Sequence, residues 1–282
     1  MVLGGDLAGK AIQAIAEQGR GRYRFSFRGR AYELEDGEEL RNVERLIADH
    51  GYYAWRCPPG ELERRQAERT IDELLLQLMQ ERLSGWLELA EARLRPQGIP
   101  LFWMLGNDDP PELAPLLDRA PWGEHADGRA IALDGHELVS LGYSNTTPWQ
   151  SFRELSEPEL GRLLEDLLAG LREPRRAILN VHVPPHASGL DEAPLLDAEL
   201  RVQTAAGQVR MGAVGSTAVR EAIVRYQPLV SLHGHVHESA GFRRIGRTLA
   251  VNPGSDYGTG ALNGALLVLE RDRVRAHQLV RG

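Results

Sequence analysis

Three histidines, His233, His235 and His237, fall within five residues of one another in the stretch 231–239, SLHGHVHES. Neutral imidazole is the commonest biological ligand for zinc and also suits iron, copper and nickel, so this spacing offers metal coordination. Gly234 removes a Cβ where a backbone must turn closely around a bound ion. The alternative is a hydrogen-bonded histidine cluster at a strand end. Three further places supply metal-type ligands: Gly5-Asp6, Gly106-Asn107-Asp108-Asp109, and His182, with His186 just beyond Pro184-Pro185.

Each group closes an apolar run, at residues 1–3, 99–105, 177–181 and 229–232. Short apolar runs bounded by Gly and Pro, alternating with helical segments, read as buried strands of parallel sheets. Such sheets gather their functional residues at the carboxyl ends of the strands, so the four ends are expected to converge.

In that order, Gly5-Asp6, Gly106-Asn107-Asp108-Asp109, His182 and Gly234-His235-Val236-His237 resemble the signature of the calcineurin-like metallophosphoesterases. That signature runs D-x-H, G-D, G-N-H-[DE], a strand-end His, then G-H-x-H, and the likeness extends over nearly the whole chain. It implies a four-layer α/β/β/α sandwich and a metal site made by Asp6, Asn107, His182 and His235. Asp6 would bridge to a second ion, which His237 would hold from the other side. Mixed oxygen and nitrogen donors without thiolate suit Mn, Fe, Zn, Co or Ni. Two such ions, roughly 3.5 to 4 Å apart, would polarise phosphoryl oxygens and activate a water for in-line attack. The expected partner is a phosphorylated small molecule, with phosphomonoesters, phosphodiesters and cyclic nucleotides all open.

The chain departs from this pattern twice. No D-x-H precedes Gly5-Asp6, so a first strand and helix, roughly 20 to 30 residues, are expected to be missing, through a misplaced start codon or natural truncation. A second ion is expected only with such an upstream motif. Asp108 also stands where the family carries a His that stabilises the phosphoryl group or protonates the leaving oxygen, and Asp108 can do so only when protonated. His186 is the other candidate proton donor, or else a solvent-exposed loop histidine. These departures admit a second reading, a metallophosphoesterase-fold scaffold or binding protein with impaired catalysis.

A chain of 282 residues, 42% hydrophobic and 26% charged, is ordinary for a globular protein and long enough for a sizeable core. One domain over residues 1–282 is expected, with a helical insertion at 37–95. The formal charge of -7 predicts no general attraction to nucleic acid or anionic membrane, and a DNA-end nuclease would need a basic groove that this composition does not advertise. Lys10 is the only lysine, so the arginine bias reads as genome composition and isolated arginines carry little weight as phosphate binders. A single cysteine, Cys57, excludes an internal disulfide framework and suits a reducing compartment, so a cytoplasmic location is expected.

Residues 7–16 read as a loop leading into a short helix, with Lys10 either contacting a phosphate or lying in solvent. Residues 23–34 alternate aromatic with polar or basic residues around Arg28-Gly29-Arg30, a hairpin pattern that either packs one face or stacks single-stranded nucleic acid. The polar loop Asn145-Thr146-Thr147-Pro148-Trp149 either touches substrate or caps the next element. Ser156, with Glu159 three residues on, opens an amphipathic helix to about Arg172. Residues 265–269 and 274–280 read as closing strands.

Overall fold

The computed structural model describes all residues, Met1 to Gly282. They form two compact units, one of Met1–Leu7, Leu87–Ser255 and Leu262–Gly282, the other of Ala8–Trp86 and Asp256–Ala261.

The first unit is mixed α/β. Its six-stranded sheet runs in the order Gly241–Ile245, Thr248–Asn252, Val230–Leu232, Ile178–Val181, His136–Leu141, Arg129–Leu133. The four inner strands are parallel and each edge strand is antiparallel to its neighbour. Successive side chains point to opposite faces. Val139, Leu141, Leu179 and Val181 therefore meet Leu160, Leu164 and Leu168 of the helix Glu157–Ala169, together with Val219 and Ile223 of the helix Thr217–Tyr226. Leu138 and Ile178 point the other way, into a cluster with Phe102, Ala126 and the partly buried Val2 and Leu269. Both faces are covered, which is why the strand Ile178–Val181 is buried along its length.

A three-stranded parallel sheet, Val2–Gly4, Phe102–Met104 and Glu124–His125, supplies Val2 and Phe102. The expected closing strands pair as an antiparallel hairpin, Asn263–Glu270 with Arg273–Arg281. Ala265, Leu267 and Leu269 on one of its faces pack against Leu229, Val230, Leu249 and Val251. The Ser156–Glu159 capping box forms as its spacing predicts.

In the second unit a four-stranded sheet has the order Arg30–Glu35, Arg22–Phe27, Ala11–Gly19, Tyr52–Cys57. Residues 11–16, expected to be helical, are strand: the run Ala11 to Ala16 pairs in parallel with Tyr52 to Cys57. Ala, Gln and Glu favour helix weakly, and tertiary pairing overrides that preference. The hairpin at 23–34 buries Tyr23, Phe25 and Phe27, 8%, 8% and 5% exposed, against Leu40 and Ile47 of the helix Glu38–Asp49. Those rings are core and not a stacking surface for bases. The stretch 37–95 holds the helices Glu38–Asp49, Glu61–Ala67 and Ile71–Leu94, and also the strand Tyr52–Cys57. Lys10 Nζ lies 5.8 Å from the centre of the Tyr257 ring. No helix is long and apolar enough to cross a membrane.

Candidate metal centre

Parallel pairing brings the ligand-bearing ends together within the first unit. Gly4 stands beside Met104, so Gly5-Asp6 and Leu105-Gly106-Asn107 leave their strands side by side. Asn180 stands beside Leu232, and the Gly234 amide donates to the His182 carbonyl at 2.9 Å, so His182 and His235 emerge as neighbours. The approach is close enough to demand glycine. A Cβ on Gly5, whose φ is 100°, would lie 2.7 Å from His182 Nδ1, and a Cβ on Gly106 would overlap the Asp6 carboxylate. Asp6 and His235 are themselves left-handed, with φ of 52° and 61°. Such strain costs non-glycine residues roughly 1–3 kcal/mol and concentrates at functional sites.

The Asn107 side chain is the hub. Its Nδ2 donates to Asp108 Oδ1 at 2.8 Å and to Ser151 Oγ at 2.7 Å, which turns Oδ1 towards the histidines. Oδ1 lies 3.0 Å from His182 Nε2 and 2.8 Å from His235 Nδ1. His182 Nδ1 donates to the Gly4 carbonyl at 2.7 Å, leaving Nε2 to face Asn107 Oδ1 and, at 3.3 Å, Asp6 Oδ2. Burial opposes a charge on His182, but the Asp6 carboxylate, the Gly4 carbonyl and Asp109 together outweigh it and hold its pKa above the ordinary histidine value.

His182 Nε2, Asn107 Oδ1 and Asp6 Oδ2 face one another, nitrogen and oxygen atoms that a divalent cation takes as ligands once His182 is neutral. Orientation of a histidine through its second nitrogen by a carbonyl is the arrangement metal-ligating histidines adopt. Separations of 2.8 to 3.3 Å match the mutual spacing of ligands held about 2.1 Å from one ion. In donor chemistry and spacing these residues fit a divalent cation, with the amide oxygen at the centre. No group of three or more His, Cys, Asp or Glu side chains is by itself arranged to hold an ion.

The remaining candidates are placed differently. Asp108 gives its amide to Asp6 Oδ1 at 3.1 Å while its carboxylate accepts from Asn107, so it orients the hub. His186 is 40% exposed, with Nδ1 3.8 Å from Asp191 Oδ2, and makes no hydrogen bond to the cluster. His237 follows His235 in the same loop, its carbonyl accepting the Ser255 amide at 3.2 Å. His233 belongs to the framework. Its Nδ1 donates to the carbonyls of Val181 and Val183 at 2.9 and 3.1 Å while Nε2 accepts from Ser231 Oγ, and burial pushes its pKa down to about 4.

Several supporting roles escaped the sequence. Asp109, fully buried, accepts the amides of Leu7 at 2.9 Å and Gly106 at 2.8 Å, tying the two loops together. Buried Arg153 pairs with Asp127 and donates to the Leu105 carbonyl at 2.7 Å. Ser151, which accepts from Asn107, donates to Glu154 Oε1 at 2.6 Å. The S-x-x-E spacing of Ser151 and Glu154 was the one available signal for this last pair.

No protein-family model matches the chain. It is 27% identical over 150 residues to the uncharacterised protein MJ1162 of Methanocaldococcus jannaschii, covering 52% of this chain and 61% of that protein. The chain thus spans about three-fifths of that relative's length. Among solved structures it is similar to TT1561 of Thermus thermophilus, with a TM-score of 0.46, 18% identity, and 72% and 79% of the two chains covered. It is also similar to the Thermus thermophilus sulfate thiohydrolase SoxB in complex with glycerol, with a TM-score of 0.37, 17% identity, and coverage of 86% and 41%. Likeness at these scores decides neither fold family nor activity.

Proposed function

We propose that the chain is a metal-dependent hydrolase of phosphate esters, a calcineurin-like metallophosphoesterase with that family's four-layer sandwich, acting in the cytoplasm on a phosphorylated small molecule. The observation that carries this is the approach of His182 Nε2 to Asn107 Oδ1 at 3.0 Å and to Asp6 Oδ2 at 3.3 Å, at the ends of neighbouring strands. Asp6, Asn107, His182 and His235 would hold the cation, and His237 would serve a second one. A divalent ion there supplies positive charge against phosphoryl oxygens and acidity to a water. Asp108 and Ser151 fix the Asn107 amide so that its oxygen points inward. The Gly4 carbonyl fixes the His182 tautomer. Asp108, its carboxylate engaged with Asn107, fits an orienting role better than that of proton donor, and His186 lies on the loop after His182 as the alternative donor.

Calorimetric titration of metal-stripped protein with Mn²⁺ tests the site. The expected result is stoichiometric binding that weakens at least tenfold in His235→Ala with its circular dichroism spectrum intact. Equal affinity in the variant would remove His235 from the site. One observation favours the competing scaffold reading: Asp108, standing where the family carries a proton-donating His, has its carboxylate engaged by Asn107. That reading expects single-metal binding without turnover.

A further inference from the structure

Trp149 and Phe152 are the most exposed aromatic side chains of the protein, 65% each. They lie on a loop that is otherwise closely tied. Its ends are joined by a short parallel pair, Ser144 beside Glu154 and Asn145 beside Leu155. The Glu154 carboxylate accepts from the Thr147 amide and hydroxyl and from the Ser151 amide and hydroxyl, at 2.8, 2.5, 2.8 and 2.6 Å. Burial works against the Glu154 charge, but these bonds outweigh it and keep its pKa below the usual carboxylate value.

The same loop is fastened to the candidate metal centre from two sides. Ser151 Oγ accepts from Asn107 Nδ2 at 2.7 Å, and the Arg153 amide donates to the Asn107 carbonyl at 3.1 Å. Trp149 and Phe152 flank Ser151, and with about 3.8 Å between consecutive Cα atoms their backbones lie within about 8 Å of it. A loop held in shape by the Glu154 carboxylate nevertheless leaves two large rings in water. Ligand sites combine apolar walls that receive the body of the ligand with polar groups that fix its reactive end, and a loop bonded to Asn107 carries two rings free to serve as such walls.

We infer that Trp149 and Phe152 form a stacking site for a flat aromatic group on the alcohol side of the ester, a nucleobase or an aryl ring. This rests on the phosphoesterase reading for its substrate class. Stacking on an aromatic side chain tolerates different bases because every base has a π-face, so the site selects for a ring without reading its identity.

The test compares 5′-AMP, phenyl phosphate and glycerol phosphate as substrates and as ligands of the Mn²⁺-loaded full chain. Wild type is expected to prefer AMP over glycerol phosphate, and in Trp149→Ala/Phe152→Ala that preference should fall about ten- to hundredfold, mainly in KM. Trp149→Tyr/Phe152→Tyr should restore most of it. Preference for AMP over phenyl phosphate assigns the site to nucleobases, and parity assigns it to any aryl ring. Wild-type parity between AMP and glycerol phosphate, or a double alanine variant with unaltered preference, would overturn the inference. Binding keeps it separate from catalysis. Should no ester be hydrolysed while AMP quenches Trp149 fluorescence and the quench is lost in Trp149→Phe, the stacking site stands and the hydrolase reading fails.

Discussion

His233 and His235 are two residues apart in a single loop and do opposite things. Both nitrogens of His233 are occupied by Ser231, Val181 and Val183, whereas His235 turns Nδ1 to Asn107. The sequence shows three equivalent histidines, because burial and strand direction decide which ring is framework and neither is written in the spacing. The consequence is measurable as a pH effect. The unfolded chain takes up a proton near pH 6.5, but folded His233 resists protonation until about pH 4. Stability from this group is therefore complete above pH 6.5 and falls as pH drops towards 4, by about 3 kcal/mol in all. Urea unfolding between about pH 7.5 and 4.5 should show this loss, and His233→Asn, less stable throughout, should show a flatter pH dependence.

Strand ends were the legible elements. Val2–Gly4, Phe102–Met104, Ile178–Val181 and Val230–Leu232 all fall on apolar runs seen in the sequence, since strands covered on both faces leave an unbroken apolar signature. The strand Ala11–Gly19 was not legible, because its composition suits a helix and its partner Tyr52–Cys57 lies about 40 residues away. The braces of the site were equally hidden. Arg153 sits in an arginine-rich chain, and nothing local marks it as the partner of Asp127 or of the Leu105 carbonyl. Its removal should tell. Arg153→Met leaves the largely buried Asp127 without its cation, holding only the Gly142 amide, which is expected to cost about 3 kcal/mol in urea unfolding. The double replacement Arg153→Met/Asp127→Leu should recover much of that loss, since no buried charge then remains.

At the scale of the molecule, a formal charge of -7 on 282 residues surrounds a centre where Asn107 Oδ1, His182 Nε2 and Asp6 Oδ2 face one another. A cation suits both conditions, being drawn to an acidic chain and taking nitrogen and oxygen ligands. Small phosphate esters need no basic groove once an ion supplies the positive charge, in contrast to nucleic acid, whose binding rests on neutralising many phosphates. The most direct measurement is hydrolysis of p-nitrophenyl phosphate and bis-p-nitrophenyl phosphate by protein stripped with EDTA and reloaded with Mn²⁺. The account predicts turnover of at least one ester by the reloaded protein, background rates in EDTA, and a loss of at least about a thousandfold in folded His235→Ala, about 4 kcal/mol of transition-state stabilisation. Turnover that survives EDTA or the His235→Ala replacement would contradict it, as would the absence of turnover in protein shown to bind the metal.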